Sequence, residues 1–472
     1  MKNLSKLLFV VLVLTACNKQ LPEPTNSENQ TNASNNVTIG MAMADGNGGG
    51  YVADEVLIKF KAGVTESGRL KALNAILGTV KEHILTNAMI SSGDKEGLYL
   101  IKTKMKALDA INASAGNTLI EYAELNQILV HQQTTISTSD PYLINGALWG
   151  MQGGFGTNAN IAWGKSTGKS TIYVGVIDEG IMYNHEDLAT NIWTNTDDPE
   201  NGIDEDKNGL IDDVHGWDFA NNDKTIYDGS SSNKIDAHGT HVSGTIGAIS
   251  NNAKGVVGMN WNIKIISAKF LGSSGGSIAN AIKAVDYITN LKKTKNLNII
   301  ATNNSWGGGS YSQALFDAIE RANNQGILFI AAAGNGNAAG FGINLDSKPS
   351  YPASYKNTNV IAVAAIDVKG NLAPWSNYGL KTVSLGAPGV NIISSVPYST
   401  TYGLYEYYNG TSMATPHVTG AVALYASTFM FTAGNAKNDA QTIKSAIISK
   451  TSSTPSLSGK TITGGRLNVG GF

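Results

Sequence analysis

The chain has 472 residues, and its length predicts a small domain followed by a large one. Hydrophobic residues make up 42% of it, which is enough for a sizeable core, and the single cysteine, Cys17, excludes an internal disulfide. The 34 Lys and Arg residues nearly balance the 36 Asp and Glu residues, so the basic patch that a nucleic-acid partner requires is not indicated.

The first 17 residues have the pattern of an export signal. Two lysines precede an apolar run from Leu7 to Leu14, which is too short to span a bilayer. The Leu-Thr-Ala-Cys sequence that ends at Cys17 resembles the lipobox of bacterial lipoproteins, whose cysteine is lipidated. We therefore predict a signal peptide at 1–17, export, and a membrane anchor on Cys17. An ordinary secretory signal with a chance cysteine is the alternative.

Residues 18–50 are small and polar, which predicts a flexible tether because they cannot bury enough apolar surface to fold. Residues 51–133 then alternate between strand and helix patterns, which indicates a small α+β domain. The predicted strands are 55–60, 98–101 and 121–126, and the predicted helices are 72–77 and 107–115. A generic binding module has the same pattern, so this alternative stays open here.

Residues 134–472 begin with an irregular bridge and continue with apolar strands that alternate with helices. This alternation predicts an α/β fold, a doubly wound parallel sheet flanked by helices on both faces. The predicted strands are 172–177, 263–269, 298–302, 327–332, 360–365 and 383–385, and the predicted helices are 238–249, 278–291, 313–324, 413–428 and 440–449. Active sites of such sheets lie beyond the carboxyl ends of the strands.

Three polar residues are predicted at that edge of the sheet. Asp178 ends an apolar strand, His238 opens a helix within Asp-Ala-His-Gly-Thr-His, and Ser412 opens another within Gly-Thr-Ser-Met-Ala-Thr-Pro-His. A serine hydroxyl is a weak nucleophile that needs an adjacent base, and an acid must orient that base. Each residue alone also has a structural reading, such as a Gly-Thr-Ser loop that caps an ordinary helix. Their conjunction indicates an acyl-transfer triad.

These motifs, in the chain order Asp, His, Ser, resemble the subtilisin-like serine proteases and not the esterases, whose order is Ser, Asp, His. The small domain at 51–133 resembles the inhibitory propeptide of the same family. The resemblance implies a serine endopeptidase that cleaves polypeptides through an acyl-enzyme and removes its own propeptide within 131–140. A catalytically inactive, protein-binding homologue is the alternative. His241 and His417 belong to the family motifs, but the resemblance gives them a structural role.

The resemblance also implies roles for residues that bind the substrate. Asn335 matches the asparagine that stabilises the oxyanion together with the Ser412 backbone N–H, although it also reads as a plain turn residue. An extended substrate adds between two strand edges. The matching residues are Ser274, Gly275, Gly276, Ser305, Trp306, Gly307, Ala333 and Gly334. The walls at 331–334 and the floor near Ser350 contain no carboxylate, which predicts a preference for neutral or apolar residues over Lys and Arg.

Glu179 departs from the family pattern, because the residue after the catalytic aspartate is usually small or hydroxylated. An acid beside Asp178 raises the pKa of the histidine or points to solvent. We predict that Glu179 points to solvent.

The acidic stretch that starts at Asp204 spaces oxygen ligands as a calcium loop does, with Gly209 at the sharp turn. It departs from the EF-hand pattern where His215 replaces the final glutamate. Because related proteases carry calcium-binding insertions at this point, we predict a structural Ca²⁺, with a solvated acidic loop as the alternative. The predicted ligands are Asp204, Asp206, Asn208, the Leu210 carbonyl, and Asp212 or Asp213.

The lipidated cysteine and the enzyme lie on opposite sides of the processing region. Cleavage within 131–140 therefore separates the protease from the lipid on Cys17. We predict a catalytic domain that is released to the extracellular space or periplasm, or one that is held only by its non-covalent propeptide.

Overall fold

The computed structural model describes residues 41–42, 50–128, 138–230, 232–272 and 275–472. The chain divides into two compact units, Met1–Gln132 and Gln133–Phe472. The predicted signal peptide, Cys17 and nearly all of the predicted tether lie outside the described residues, as does 131–137 of the predicted processing region. Within the described ranges, no helix has both the length and the apolar character needed to cross a bilayer.

The first unit is a small α+β domain, as predicted. Its described elements are β1 (Met41–Ala42), β2 (Gly50–Phe60), α1 (Glu66–Ala75), β3 (Gly78–Ile84), α2 (Asn87–Ser91), β4 (Leu98–Thr103), α3 (Ala107–Ser114) and β5 (Ile120–Ile128). The strands form an antiparallel sheet in the order β1-β2-β4-β3, with β5 paired to β2. Val56, Ile58 and Phe60 alternate along one face of β2 and are fully buried. Strand β3 was not predicted because it is a mostly exposed strand at the end of the sheet, without an apolar run.

The second unit contains the longer parallel sheet. Its described strands are β6 (Gly168–Asp178), β7 (Gly216–Asp218), β8 (Asn262–Lys269), β9 (Ile299–Asn304), β10 (Leu328–Ala332), β11 (Val360–Ile366), β12 (Leu385–Pro388), β13 (Ile392–Ser399), β14 (Gly403–Tyr408), β15 (Ser452–Ser453) and β16 (Gly465–Arg466). Its described α-helices are α4 (Pro141–Ile144), α5 (Ala159–Ala162), α6 (Ala237–Gly247), α7 (Ile278–Lys295), α8 (Gln313–Asn324), α9 (Thr411–Ala426) and α10 (Ala436–Ser449), and short 3₁₀ helices lie at Trp149–Met151 and Pro455–Leu457.

Among the described strands, the large sheet has the order β15-β16-β12-β11-β10-β9-β6-β8-β7. All neighbours are parallel except β15 and β16. From β6, strands β9 to β12 follow one another outward on one side, and β8 and β7 lie on the other side, so the fold is doubly wound, as predicted. Ligands of such sheets bind where the strand order reverses, and here that point lies at the carboxyl end of β6.

Helices and loops cover both faces of this sheet. Within β6, Val174 and Val176 pack in the core on one face, and Ile177 packs in the core on the other. The antiparallel hairpin of β13 and β14 was not predicted. It lies beside α6, where the Ile392 and Glu406 carbonyls are 3.0 and 3.1 Å from His241 Nε2. His241 therefore ties this hairpin to the helix that begins at the candidate site.

Candidate active site

The end of β6 and the start of α6 touch through two glycines. A methyl group on Gly239 would lie 2.0 Å from the Gly180 carbonyl oxygen, and Gly180 has φ +123°, a conformation that glycine alone adopts readily. This close approach brings two of the predicted residues together. His238 Nδ1 lies 2.8 Å from Asp178 Oδ1, and the Asp178 side chain is 1% exposed against 28% for His238.

Glu179 turns inward, so the prediction that it points to solvent was wrong. Its Oε1 accepts a hydrogen bond from the His238 backbone N–H at 2.6 Å. The first N–H groups of a helix have no partner inside the helix, and they form its positive end. Asp236, at the N-cap position of α6, makes no side-chain capping bond. The carboxylate of Glu179 fills that role from the neighbouring strand.

Two carboxylates set the proton affinity of the imidazole. Burial lowers the pKa of His238, but the charges of Asp178 and Glu179 outweigh burial and raise that pKa to about 9. Burial, followed by the charge of Asp178, also raises the pKa of Glu179. Asp178 Oδ2 is buried without a hydrogen-bond partner among the described residues. The imidazole is therefore the main counter-charge that this carboxylate meets.

Ser412, the second residue of α9, is bound to the end of a neighbouring strand. Pro416 has no N–H and leaves the Ser412 carbonyl, four residues earlier, without its helical partner. Ser305 Oγ donates to that carbonyl at 2.9 Å, and Ser412 Oγ donates to the Ser305 carbonyl at 3.0 Å. Among the described residues, the hydroxyl makes no hydrogen bond to His238. It must turn away from Ser305 before His238 can take its proton.

Asn335 is held so that its amide N–H groups remain available. Its Oδ1 accepts from both the backbone N–H and the Oγ1 of Thr411, each at 2.9 Å. A methyl group on Gly410 would lie 3.6 Å from Asn335 Nδ2 and 3.5 Å from the Ser412 backbone N. Both nitrogens therefore border one small space beside the serine, where an oxyanion needs two donors. Thr411 was not singled out from the sequence, although it stands inside the Gly-Thr-Ser motif.

A cavity of about 440 Å³ is bordered by Ser412 and Asn335. The predicted residues that line it are Ser305, Trp306, Gly307, Gly334 and Ser350. Ala333 does not line this cavity, so the prediction that Ala333 contacts the substrate was wrong. It is 1% exposed, and its carbonyl accepts from Asn377 Nδ2 at 2.8 Å. Side chains alternate along an extended segment, so Ala332 faces the cavity and Ala333 the core.

Lys348 also lines this cavity and was missed in the sequence. It is exposed, and it has no ion pair among the described residues. No carboxylate belongs to the described lining. The charge in this cavity is therefore positive, which disfavours a Lys or Arg side chain of a substrate.

The other predicted substrate edge borders a different cavity. Gly275 and Gly276 line a space of about 720 Å³ together with Glu179, Asp236 and Lys269, whereas Ser274 lies outside the described residues. Lys269 is 2% exposed, and its Nζ lies 3.0 Å from Asp236 Oδ1. This buried ion pair holds the residue that precedes α6.

The predicted calcium loop holds its carboxylates on backbone amides and lysines. Asp204 accepts from the backbone N–H groups of Asn208 and Gly209, at 3.1 and 2.9 Å. Asp206 Oδ2 lies 2.7 Å from Lys295 Nζ. Within the described ranges, no three His, Cys, Asp or Glu side chains are arranged to share a metal ion. The loop as described therefore fits a metal ion only after these carboxylates rearrange.

The two alternatives for the last calcium ligand differ in their surroundings. Asp212 pairs with Lys224 at 2.9 Å, and this contact and backbone N–H groups lower the pKa of Asp212 to about 2. Asp213 instead accepts from the Asn208 amide at 3.0 Å, and burial raises its pKa to about 6. Asp213 therefore lies with the other predicted ligands, and Asp212 is engaged elsewhere. The backbone carbonyl of Leu210 follows Asn208 in the same loop.

The fold and the site define a serine hydrolase built on a doubly wound sheet, and comparison with known proteins gives its family. Residues 169–464 match the subtilase family, and residues 38–126 match the fervidolysin N-terminal prodomain. The chain belongs to the subtilase family: it is a subtilisin-like serine protease with a fervidolysin-like prodomain.

Similar proteins include proteases from several bacteria. The chain is 32% identical over 386 residues to a thermophilic serine proteinase of Bacillus sp. (strain AK1). This alignment covers 80% of this chain and 79% of the relative. It is 31% identical over 416 residues to an extracellular protease of Xanthomonas campestris pv. campestris, and this alignment covers 82% of this chain and 68% of the relative. A solved protease from Pseudoalteromonas arctica PAMC 21717 has a TM-score of 0.53 and 28% identity, covering 71% of this chain and 98% of that one.

Proposed function

We propose that Asp178, His238 and Ser412 form the catalytic triad of this endopeptidase. The observation that carries the proposal is the 2.8 Å bond between Asp178 and His238 at the end of β6, where the strand order reverses. Ser305, which binds the Ser412 hydroxyl, follows β9, the strand next to β6. Conversion of a folded protein and of a small ester by the purified enzyme tests the proposal. A peptidase cleaves both, and cleavage of the ester alone contradicts it.

The proposed reaction uses these groups in sequence. His238 takes the proton of Ser412 Oγ, which attacks the substrate carbonyl, while Asp178 orients and stabilises the imidazolium. Asn335 Nδ2 and the Ser412 N–H stabilise the oxyanion. His238 then gives its proton to the leaving amine. In the second half of the reaction His238 takes a proton from water, which attacks the acyl-enzyme, and returns that proton to Ser412 Oγ.

A catalytically inactive binding protein is the second candidate. The observation in its favour is the hydrogen bond from Ser412 Oγ to Ser305, which occupies the hydroxyl proton that His238 must accept. A peptidyl phosphonate reacts only with an activated serine. Intact-mass analysis that finds no adduct on the mature protein favours this second candidate.

Self-processing within 131–140 is part of the proposal, and the match to a prodomain at 38–126 supports it. We expect wild type to yield a mature N-terminus in this region, mapped by mass spectrometry, and Ser412→Ala to stay at full length. Trans-cleavage of the purified Ser412→Ala protein by wild type then identifies the same bond.

Export with a lipid on Cys17 is also proposed. Related proteins from Xanthomonas campestris and Dichelobacter nodosus are named extracellular proteases, which supports export. We expect radiolabelled palmitate to enter the Ser412→Ala precursor but not the Cys17→Ala precursor. Cell fractionation then tests release: the wild-type catalytic domain is expected in the medium or periplasm and Ser412→Ala in the membrane. Equal membrane retention after propeptide removal contradicts release.

Substrates with a neutral or apolar residue before the scissile bond are the proposed class. The cavity beside Ser412 supports this, because its described lining has Lys348 and no carboxylate. Sequencing the peptides released from a mixed protein substrate tests it. Predominant cleavage after Lys or Arg contradicts it.

A structural Ca²⁺ at Asp204, Asp206, Asn208, the Leu210 carbonyl and Asp213 remains our proposal, supported by the ligand spacing. Binding requires Asp206 to leave Lys295. We expect 1–10 mM CaCl₂ to raise the melting temperature relative to EGTA, as typical for a ligand that binds only the folded state. The double variant Asp204→Asn, Asp206→Asn is expected to lose this shift and the control Glu205→Gln to keep it. An equal shift in both variants contradicts this site.

A further inference from the structure

We propose that Glu179 is a positioning residue for His238: Glu179 fixes the start of the helix that carries the imidazole and adds a second carboxylate next to that residue. This inference rests on the proposed function, because it assigns His238 the role of general base.

Three hydrogen bonds join three residues into a closed ring. Asp178 Oδ1 accepts from His238 Nδ1 at 2.8 Å and from the Glu179 backbone N–H at 2.8 Å. Glu179 Oε1 in turn accepts from the His238 backbone N–H at 2.6 Å. The backbone of His238 and its imidazole are thus held by adjacent residues of one strand end. The His238 backbone cannot move away from the end of β6 without stretching the bond to Glu179, so the imidazole starts from a fixed position beside Asp178.

No other side chain in the described structure caps this helix start. Asp236, at the N-cap position, makes no capping bond because Lys269 Nζ and the Asp228 backbone N–H engage its carboxylate. Glu179 therefore supplies both the acceptor and the negative charge that a helix N-terminus favours. A carboxamide in its place keeps the acceptor and removes the charge.

The charges around the imidazole leave Glu179 with a clear electrostatic role. The end of β6 contributes the carboxylates of Asp178 and Glu179. Strand β8 contributes the ammonium of Lys269, which is already paired with Asp228 and Asp236. The titratable groups on α6 and on the hairpin of β13 and β14 add no unpaired charge. His241, on α6, has a pKa lowered by burial to about 3, and Glu406 on β14 pairs with Lys234 at 2.9 Å. Within the part of the chain that the structure describes, the unneutralised charges near His238 are therefore the carboxylates of Asp178 and Glu179.

This arrangement determines how activity depends on pH. The general base must be neutral, and its pKa of about 9 keeps most of it protonated at pH 7. Removing the charge of Glu179 lowers the pKa of His238, because the imidazolium loses one of two stabilising anions. The acid limb of kcat/KM, which reports the free enzyme, then moves to lower pH.

The test compares mature wild type, Glu179→Gln and Glu179→Ala on one uncharged peptide substrate from pH 5.5 to 10.5. In both variants we expect the midpoint of the acid limb of kcat/KM to move to lower pH by about one unit, as is typical when one close charge is lost. We expect the plateau kcat of Glu179→Gln to match wild type, and that of Glu179→Ala to fall about fivefold because the cap is lost. Glu179→Gln is then more active than wild type at pH 7. The control Glu320→Gln, in α8, keeps the wild-type limb.

A merely structural role for Glu179 predicts a loss of activity with an unshifted acid limb, and that result overturns the proposal. A variant that fails to mature is tested in the Ser412→Ala full chain by NMR titration of labelled histidines, with His238 assigned through His238→Gln. An unchanged pKa of His238 in Glu179→Gln also overturns the proposal. This titration does not depend on activity, so an inactive wild type contradicts the proposed function without deciding the role of Glu179.

Discussion

The two sides of the candidate site are held by different forces. On the serine side, Ser412, Ser305 and Asn335 are fixed by hydrogen bonds between neutral groups. On the histidine side, two carboxylates hold one residue: Asp178 contacts the imidazole of His238, and Glu179 accepts from its backbone N–H. Neutral hydrogen bonds do not titrate in the working range, whereas the imidazole does. We infer that the maximal rate depends on both sides, whereas the pH range is set by the histidine side.

The largest effect is expected from the nucleophile itself. Ser412→Ala removes the atom that forms the acyl-enzyme, so kcat at the wild-type plateau pH should fall about a millionfold. Stopped assays on a fluorogenic peptide measure this loss of kcat. The Ser412→Ala protein for these assays is matured by cleaving its precursor in trans with wild type. The exposed Ser449→Ala, at the end of α10, is the matched control and should retain full activity.

A smaller effect is expected at the oxyanion space. Asn335→Ala removes one donor, which typically costs 10²–10³-fold in kcat with little change in KM. Thr411→Val removes one of the two donors that hold Asn335, so we expect only about a tenfold loss. Steady-state kinetics at pH 7 and 10 separate the two sides of the site. A shift of the acid limb in Asn335→Ala contradicts the division of roles.

A still smaller effect is expected in the cavity next to the serine. Lys348→Glu reverses the charge that lines it, and an exposed charge pair is worth at most about 1 kcal/mol. We therefore expect about a threefold gain in kcat/KM for a peptide with Arg, relative to Leu, before the scissile bond. Lys169→Glu, at the opposite end of β6, controls for net charge. An equal gain in both variants means that Lys348 does not contact the substrate side chain.

The last expected effect is on stability and not on catalysis. The pKa of His238 in the folded protein, about 9, lies above its ordinary value of about 6.5. The stabilisation by the carboxylates is therefore complete below pH 6.5 and disappears as pH rises through 9. Urea unfolding of Ser412→Ala, followed by tryptophan fluorescence, should show this loss between pH 6 and 10. Adding His238→Gln should remove that part of the pH dependence, and an unchanged dependence contradicts the pairing.

The central strands of the sheet could be predicted because they are buried on both faces and read as continuous apolar runs. The short strands β7, β15 and β16 were missed because they are too short to form such a run, and β12 begins at Leu385, where the predicted strand 383–385 ends. Helix 313–324 was predicted with its observed bounds. The hairpin of β13 and β14 was not predicted, because serines, a proline, a glycine and a glutamate interrupt its apolar and aromatic residues and leave no continuous apolar run. The sequence motifs placed Asp178 and His238 at adjoining ends of a strand and a helix, and the glycines that let those ends touch stand inside the same motifs.

The rest of the site depends on neighbours distant in sequence. Glu179 turns inward because Asp236, the N-cap residue 57 positions later, is already engaged by Lys269. Lys348 reaches the cavity from the loop that follows β10, at a position well beyond the Asn335 motif where the sequence carries no recognisable pattern. Ala333 faces the core because successive residues of the extended segment 331–334 point alternately to the core and to the cavity. Each of these outcomes follows from contacts that only the folded chain creates.

The central claim is that His238 activates Ser412, and the rate of serine phosphonylation tests it most directly. A peptidyl phosphonate is applied to mature wild type and His238→Ala from pH 6 to 10.5, and the adduct is located by peptide mass spectrometry. We predict an adduct on Ser412 in wild type, with a rate that rises to a midpoint near pH 9, and almost none in His238→Ala. Equal rates in the two proteins, or an adduct on another residue, would contradict the account.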